Sequence, residues 1–177
     1  PADISRMKYL CLLPLLIPLA ACATLDEDQC RAADWQAIGE ADGANGRTPD
    51  YLEKHARACN KFGIAPIRAE WEKGRQAGLP RYCQPFRAWK EGADGHELSP
   101  VCPVNDLPEL EHENFRGLTY YRIGRDISEA ESDIDSINRA LSELAADDPA
   151  RSVLYHQRTR LRLEILHLRA QRARYRY

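Results

Sequence analysis

The sequence lacks the short motifs that mark the common enzyme classes. It contains no glycine-rich phosphate loop after a strand, no G-x-S-x-G nucleophile turn and no H-E-x-x-H zinc motif. Its five histidines are scattered, without metal spacing or a recognisable nucleophile beside them, so we expect no catalytic residue, no cofactor and no metal ion. They are His55, His96, His112, His156 and His167. The sequence therefore predicts a protein that is not an enzyme.

A long apolar run and a strong net charge are missing as well. The apolar run at residues 9–19 is far shorter than the roughly 20 residues that a membrane-spanning helix needs. The formal net charge of −2 gives no overall attraction to nucleic acid, and a chain with 44% hydrophobic and 29% charged residues has the balance of a folded protein. Any electrostatic partner must therefore bind a local patch.

The amino-terminal segment has the layout of a secretory signal. Met7 is the only methionine, so we expect residues 1–6 to lie upstream of the start and leave them out of the fold. A lysine, the apolar run and small residues then precede Cys22. The stretch Leu19-Ala20-Ala21-Cys22 resembles the lipobox of bacterial lipoproteins, in which the thiol receives a diacylglycerol and the peptide bond before it is cut. A plain signal peptide that ends near a cysteine is the alternative.

The lipobox resemblance implies a mature chain that begins at Cys22 and is held at the membrane by acyl chains. Ala23 follows this cysteine where an aspartate would imply retention, so the sorting rule of enterobacterial lipoproteins implies transfer to the outer membrane. We therefore expect a lipid-anchored protein of the bacterial cell envelope that faces the periplasm. Nucleic acid is not an expected partner in that compartment.

Four cysteines remain after the signal and the anchor are set aside. They are Cys30, Cys59, Cys83 and Cys102. An even number in an exported chain favours two disulfides over a metal site, because no paired C-x-x-C with histidines is present. Sequence alone leaves three connectivities open; our prediction is the sequential pairing, Cys30 with Cys59 and Cys83 with Cys102.

Tryptophan and glycine recur together in the segment 30–104. The units are Trp35-x3-Gly39-x3-Gly43, Trp71-x2-Gly74-x3-Gly78 and Trp89-x2-Gly92-x2-Gly95, with Tyr121-x2-Gly124 as a degenerate fourth. One-turn spacing places a large ring and bare backbone on adjacent faces of a short helix, where another helix can approach closely. We favour a tryptophan core over aromatic pockets for a ligand. The pattern predicts a bundle of short helices.

The same segment resembles an uncharacterised family of bacterial lipoproteins, domain of unknown function 2799. The resemblance covers Cys30 to about Pro103 and is carried by DWQAIGEADG, CNKFGIAP, EWEKGRQAGLPRYC and EGADGHELSPVCP. Trp71 stands where a tyrosine is expected. The resemblance implies an envelope location and paired cysteines, and it implies no activity.

The segment 105–177 has little glycine and predicts two long helices. Apolar residues recur three and four positions apart from Tyr120 to Leu144, which is typical of a coiled-coil seam. Asp148 is a suitable N-cap and Pro149 a suitable first residue for the second helix, which runs to about Arg174. This helix has leucines one heptad apart, so we expect a coiled-coil-like antiparallel hairpin.

Charge and exposed apolar residues suggest how the hairpin is used. Its first helix is rich in acids and its second in arginines, so we expect opposite charges to attract across the seam. The second helix also has an apolar line outside the seam, formed by Tyr155, Leu163, Leu166, Ala170 and Ala173. The candidate interaction surface consists of Arg160, Leu163, Leu166 and Arg169. It would face the glycine-rich domain, a second copy or another protein.

These observations predict an all-α protein with four parts. Residues 1–21 are removed, 22–29 form a lipidated linker, 30–104 a disulfide-braced bundle of short helices, and 105–177 the hairpin. We expect a non-catalytic binding or scaffolding protein, attached to the membrane by its lipid, whose hairpin contacts another envelope protein or a second copy. The alternative is a module that binds a small ligand, a glycan or a hydrolase through Trp35, Trp71 and Trp89.

Overall fold

The computed structural model describes residues 24–177, and the secondary structure of this part is entirely helical. The all-α prediction is therefore confirmed over these residues. The signal segment and Cys22 lie outside them. The helices are α1 Glu27–Arg31, α2 Trp35–Ala44, α3 Leu52–Asn60 with a 3-10 turn Pro49–Tyr51 before it, α4 Arg68–Tyr82, α5 Pro85–Ala93, α6 Leu107–Glu143 and α7 Ala150–Ala173.

Short polar side chains begin the first two helices. The Asp26 carboxylate accepts a hydrogen bond from the backbone N–H of Gln29 at 2.8 Å, and Gln29 bonds back to the Asp26 N–H, which completes a capping box. Asp34 caps α2 by accepting from the N–H of Ala37 at 3.0 Å. Pro85 begins α5, a position where its missing N–H costs nothing.

Helices α2 and α4 pack backbone to backbone. A methyl group added at any of four glycines would collide with a carbonyl oxygen of the facing helix. Two of these glycines lie on each helix, one turn apart, so both helices present a bare strip at the contact. The glycines are Gly39, Gly43, Gly74 and Gly78, and the facing carbonyls belong to Trp71, Arg75, Gln36 and Glu40 respectively.

Helices α5 and α6 form a second pair of the same kind. Gly92 of α5 lies against the carbonyl of Asn114, and Gly117 of α6 lies against the carbonyl of Trp89. The first helix of each pair is followed by a glycine with a left-handed backbone. These glycines are Gly46 after α2, with φ of +67°, and Gly95 after α5, with φ of +88°. The rings of Tyr82 and Tyr121 cover these two glycines.

Each pair also contains an equivalent hydrogen bond from a buried polar side chain. Arg75 of α4 donates from Nη1 to the carbonyl of Arg47 at 3.2 Å, and Asn114 of α6 donates from Nδ2 to the carbonyl of His96 at 3.0 Å. Arg47 and His96 each follow the left-handed glycine of their pair. The repeating unit is therefore a helix pair, α2 with α4 and α5 with α6, where the sequence had indicated a tryptophan-centred unit. In the degenerate fourth unit, the glycine that meets the facing helix is Gly117. Gly124, which the sequence pattern had suggested, faces the Arg172 side chain.

Both predicted disulfides are confirmed, with the sequential connectivity. Cys30 of α1 is bonded to Cys59 of α3, and the pair packs in a buried cluster with Trp35, Leu52 and Trp71. The second bridge, Cys83 to Cys102, joins the end of α4 to the segment that precedes α6. The first bridge therefore joins two helices that lie outside the glycine-packed pairs, and the second joins the end of α4 to the chain just before α6.

Helix α6 belongs to both halves of the fold. With 37 residues it is about 55 Å long. Its first turns pack on α5, while its later turns pack against α7 through a cluster around Ile123, Ile127, Ala130 and Ile165. The predicted helical hairpin is therefore present, and one continuous helix connects it rigidly to the glycine-rich helix pairs.

The two ends of α7 are held by specific hydrogen bonds. At the turn, α7 begins one residue later than expected, at Ala150, so Pro149 is the N-cap and the prediction of Asp148 as N-cap is wrong by one position; the Asp148 carboxylate still accepts from the N–H of Ala150 at 2.8 Å. Arg151 donates from Nη1 to the carbonyls of Leu141 and Leu144, which ends α6. At the other end, the indole N–H of Trp89 donates to the carbonyl of Tyr175 at 2.8 Å.

Candidate functional site

The tryptophans are packing residues in this structure. Trp71 is fully buried and Trp35 nearly so, both beside the Cys30–Cys59 bridge. Trp89 is half-buried and lies under the carboxyl-terminal segment, among the rings of Phe86, Tyr120 and Tyr177. These indoles fill contacts within the fold, as expected for the tryptophan core that the sequence analysis favoured.

A buried polar network surrounds Trp71. One carboxylate oxygen of Asp42 accepts from the Trp71 indole N–H and bonds to Nε2 of His55, each at 2.8 Å. The other ring nitrogen of His55 bonds to the Thr24 hydroxyl at 2.9 Å. His55 is only 4% exposed, so a substrate could not reach its ring without movement of the fold. The network satisfies buried polar groups and ties Thr24 to α2 and α3.

Sequence reasoning missed this network because its members lie far apart in the chain. Asp42 and His55 are 13 positions apart, and Thr24 and His55 are 31 positions apart. No spacing rule connects such residues. The remaining histidines and the acidic run around His112 form no group of three or more ligand side chains that could hold a metal ion in the part of the chain that the structure describes.

A polar cleft lies between the two helix pairs. It has a volume of about 570 Å³, and charged side chains of both signs line it, including Arg47, Lys54, Arg87 and Glu91. Arg47 and Lys54 lie over the ring of Tyr51, at 4.5 Å and 4.7 Å from its centre. The positive and negative side chains that line the cleft are nearly equal in number, so the cleft has no strong preference for one sign of charge.

Hydrogen bonds and burial shift the pKa values of two groups at this cleft. The Thr48 hydroxyl lowers the pKa of Asp50 below its usual value. Burial raises the pKa of the Tyr82 hydroxyl, whose oxygen accepts from the Ser99 N–H at 2.9 Å. Both groups therefore keep their ordinary neutral-pH charge, and neither is prepared for proton transfer near neutral pH.

Helix α7 has large apolar side chains that the hairpin leaves exposed. Leu163 is 62% exposed and Leu166 is 60% exposed, whereas Ile165 between them is buried against α6. Two residues subtend about 200° around a helix, so Leu163 points away from α6 when Ile165 points toward it. We use the term outer face for the side of α7 that carries Tyr155, Leu163, Leu166, Ala170 and Ala173.

Arginines flank this outer face, and four of the six arginines of α7 also bond to α6. Within residues 24–177, the one ion pair between α6 and α7 joins Arg169 to Glu131 at 2.8 Å. Arg158 and Arg172 also reach α6, but they bond to the Asn138 amide oxygen and the Tyr120 carbonyl. Arg160 and Arg162 are exposed.

The seam therefore depends on charge attraction less than the segregated sequence suggests. The physical reason is the acceptor that each arginine meets: within the described residues, Arg151, Arg158 and Arg172 bond to uncharged carbonyl or amide oxygens of α6, and Arg169 alone meets a carboxylate. Of the candidate interaction residues, Leu163 and Leu166 share the outer face, and Arg160 and Arg169 lie on its two flanks. The structure thus brings the two leucines to one side of α7, with the two arginines on opposite borders of that side and Arg169 already paired with Glu131.

No helix in the described part of the chain is long and apolar enough to cross a membrane. No curated protein and no solved structure matches the chain. Residues 34–119 match the family described as "Protein of unknown function (DUF2799)", which confirms the resemblance found in the sequence. The matched segment contains both glycine-packed helix pairs and ends just before the hairpin seam. Residues 34–119 are therefore a DUF2799 domain, to which the antiparallel hairpin is attached through α6.

Proposed function

We propose that this protein is a non-catalytic binding protein of the bacterial cell envelope, anchored by a lipid on Cys22, with the outer face of α7 as its binding surface. The observation that carries the proposal is the exposure of Leu163 and Leu166 on a helix whose seam is already complete. Exposing large apolar side chains costs free energy that a partner would recover, at about 25 cal/mol per Å² of buried apolar surface.

The anchor is supported by the lipobox pattern that ends at Cys22. The structure adds a relevant contact at Thr24, two residues further along, whose hydroxyl bonds to buried His55. If the lipid is on Cys22, the folded body follows it almost directly, so the body stays close to the membrane surface. The outer face of α7 would then contact partners at or near that surface.

The expected partner is another envelope protein, with a second copy as the alternative, and the lipidated protein itself is the bait that tests this. Crosslinking in intact envelopes and affinity capture should recover a stoichiometric partner. The double variant Leu163→Asp/Leu166→Asp should lose that partner while its circular dichroism and thermal unfolding stay those of the parent. Val104→Asp is the matched control, because Val104 is also exposed and lies in the segment before α6. Capture that is equal for all three proteins would refute the assignment to α7.

The anchor is tested separately with Cys22→Ser. We expect this variant to remain a larger precursor without incorporated palmitate, and to lose envelope-dependent capture. Normal mobility and normal palmitate labelling of the variant would show that Cys22 is not the site of lipidation.

A second candidate function rests on the polar cleft between the helix pairs. Its size suits a small polar ligand such as a glycan fragment, and its lining offers donors and acceptors from both pairs. Such a ligand should raise the thermal midpoint of the parent protein, and Arg47→Ala should remove the shift. A ligand that stabilises both proteins equally would bind elsewhere.

A further inference from the structure

The arrangement of charge around the outer face of α7 points to the chemistry of its partner. We infer that this face docks on an anionic lipid surface, with Leu163 and Leu166 entering the headgroup boundary and the flanking arginines contacting phosphates. The inference rests on the proposed function, because it names the occupant of the same surface.

The order of residues around α7 supports docking on a lipid surface. At 100° per residue, the five apolar residues of the outer face fall within roughly 80° of arc. Arg162 and Arg169 lie on one flank of this arc, and Arg160 and Arg174 lie on the other. An apolar strip bordered on both sides by cations is typical of a helix that lies in a membrane interface. Glu164 is the one acid on α7.

The position of the acidic residues also favours an anionic surface. Apart from Glu164 on α7 and Asp147 in the turn, the exposed acids of the hairpin belong to α6, on the far side of α7 from the outer face; Asp126, Glu129 and Asp133 are examples. Packed helices lie about 8–10 Å apart, and charges in physiological salt are screened over about 8 Å. A surface in contact with the outer face therefore meets the field of the arginines far more strongly than that of the acids.

A second copy of the chain fits the outer face less well than a lipid surface does. Beyond Tyr121, α6 exposes no large apolar side chain among the described residues, so it offers no complement to Leu163 and Leu166. Two α7 helices placed face to face would bring arginines against arginines. A specific protein interface buries at least about 1,000 Å², so a protein partner of this face would have to contact more of the hairpin than the two leucines. An anchored protein needs only a weak second contact to hold its orientation on lipid.

The test uses residues 24–177 without the anchor, because this part contains both disulfides and both buried clusters. Circular dichroism first verifies that it is folded. Its binding is then measured by co-sedimentation with vesicles of phosphatidylcholine alone, or of equal parts phosphatidylglycerol and phosphatidylcholine. We expect binding to the anionic vesicles only, and a marked decrease as salt is raised.

Charge variants of equal net charge locate the contact. Arg160→Gln/Arg162→Gln should weaken binding to the anionic vesicles about 30-fold, since each arginine near an anionic surface contributes about 1 kcal/mol and tenfold corresponds to 1.4 kcal/mol. Arg125→Gln/Arg139→Gln removes the same charge from exposed positions of α6 and should change binding less than about threefold.

Each outcome decides the inference. Binding that is selective for anionic vesicles and sensitive only to the α7 pair supports lipid docking. Equal binding to both vesicles, no binding to either, or equal loss in both double variants would overturn it. If vesicles fail while capture from envelopes still depends on Leu163 and Leu166, the occupant is a protein and the proposed function stands. If capture is independent of these leucines, the proposed function itself fails.

Discussion

The indole N–H of Trp71 donates to the same Asp42 oxygen that bonds to His55, each at a distance of 2.8 Å. Asp42 belongs to α2, Trp71 to α4 and His55 to α3. A single carboxylate thus supplies the acceptor for polar groups from two other helices in the most buried part of the DUF2799 domain.

Asp42→Ala should destabilise the protein because it leaves the buried Trp71 indole N–H without an acceptor. Such losses cost about 1–3 kcal/mol, which corresponds to a thermal midpoint lower by roughly 2–10 °C for a chain of this size. Asp28→Ala, an exposed position on α1, is the control and should shift the midpoint far less. Equal midpoints for Asp42→Ala and the parent protein would contradict the role given to Asp42.

Gly74→Ala should destabilise the pairing of α2 and α4, because its methyl group would collide with the carbonyl of Gln36. We expect a loss of about 1–3 kcal/mol or more in the free energy of unfolding by guanidinium chloride. Gly124→Ala introduces the same residue into α6 where only the movable Arg172 side chain is close. That control should be neutral or slightly stabilising, since alanine is the better helix former. A Gly74→Ala protein as stable as this control would refute the close packing.

The two disulfides should differ in their sensitivity to a mild reductant. Cys30 and Cys59 are buried, whereas Cys83 and Cys102 are half-buried and line a cavity of about 470 Å³ that opens to solvent. Attack by a thiolate requires access to sulfur, so the second bridge should be reduced first. Stepwise reduction, alkylation and peptide mass spectrometry measure the order. Alkylation of Cys30 and Cys59 before the other pair would contradict it.

Glu72 should make stability depend on acid pH. The hydrogen bond from Arg75 is the largest cause that lowers the pKa of Glu72 below 4.5. A folded-state pKa below the unfolded one contributes stability above the unfolded value and loses it as the pH falls through the folded value. Parent and Glu72→Gln should therefore differ in unfolding midpoint at pH 7 and converge below pH 4.5.

The control for this titration is Glu70→Gln, which changes an exposed acid in the first turn of the same helix. Its difference from the parent should be smaller at pH 7. A Glu72→Gln difference that persists unchanged in acid would show that the carboxylate charge is not its source.

Much of the architecture could be predicted because it depends on local periodicity and on covalent chemistry. The three-and-four spacing from Tyr120 onward places Ile123 and Ile127 in one seam whatever they pack against. The even number of cysteines in an exported chain favoured two bridges, but it left three connectivities open, and only the structure decided between them. Glycines at one-turn spacing indicated close helix contacts without indicating the partner of each helix.

The tertiary structure decided the features that depend on contacts between distant residues. Gly39 faces Trp71 and Gly92 faces Asn114, which made the repeating unit a pair of helices instead of a tryptophan with its glycines. Asp42, His55 and Thr24 meet only because α2, α3 and the chain before α1 converge. Sequence alone determined that α7 has more apolar surface than its seam needs. Only the fold decided that Leu163 and Leu166 stay exposed beside their arginines, because the orientation of α7 on α6 selects which side of the helix is buried.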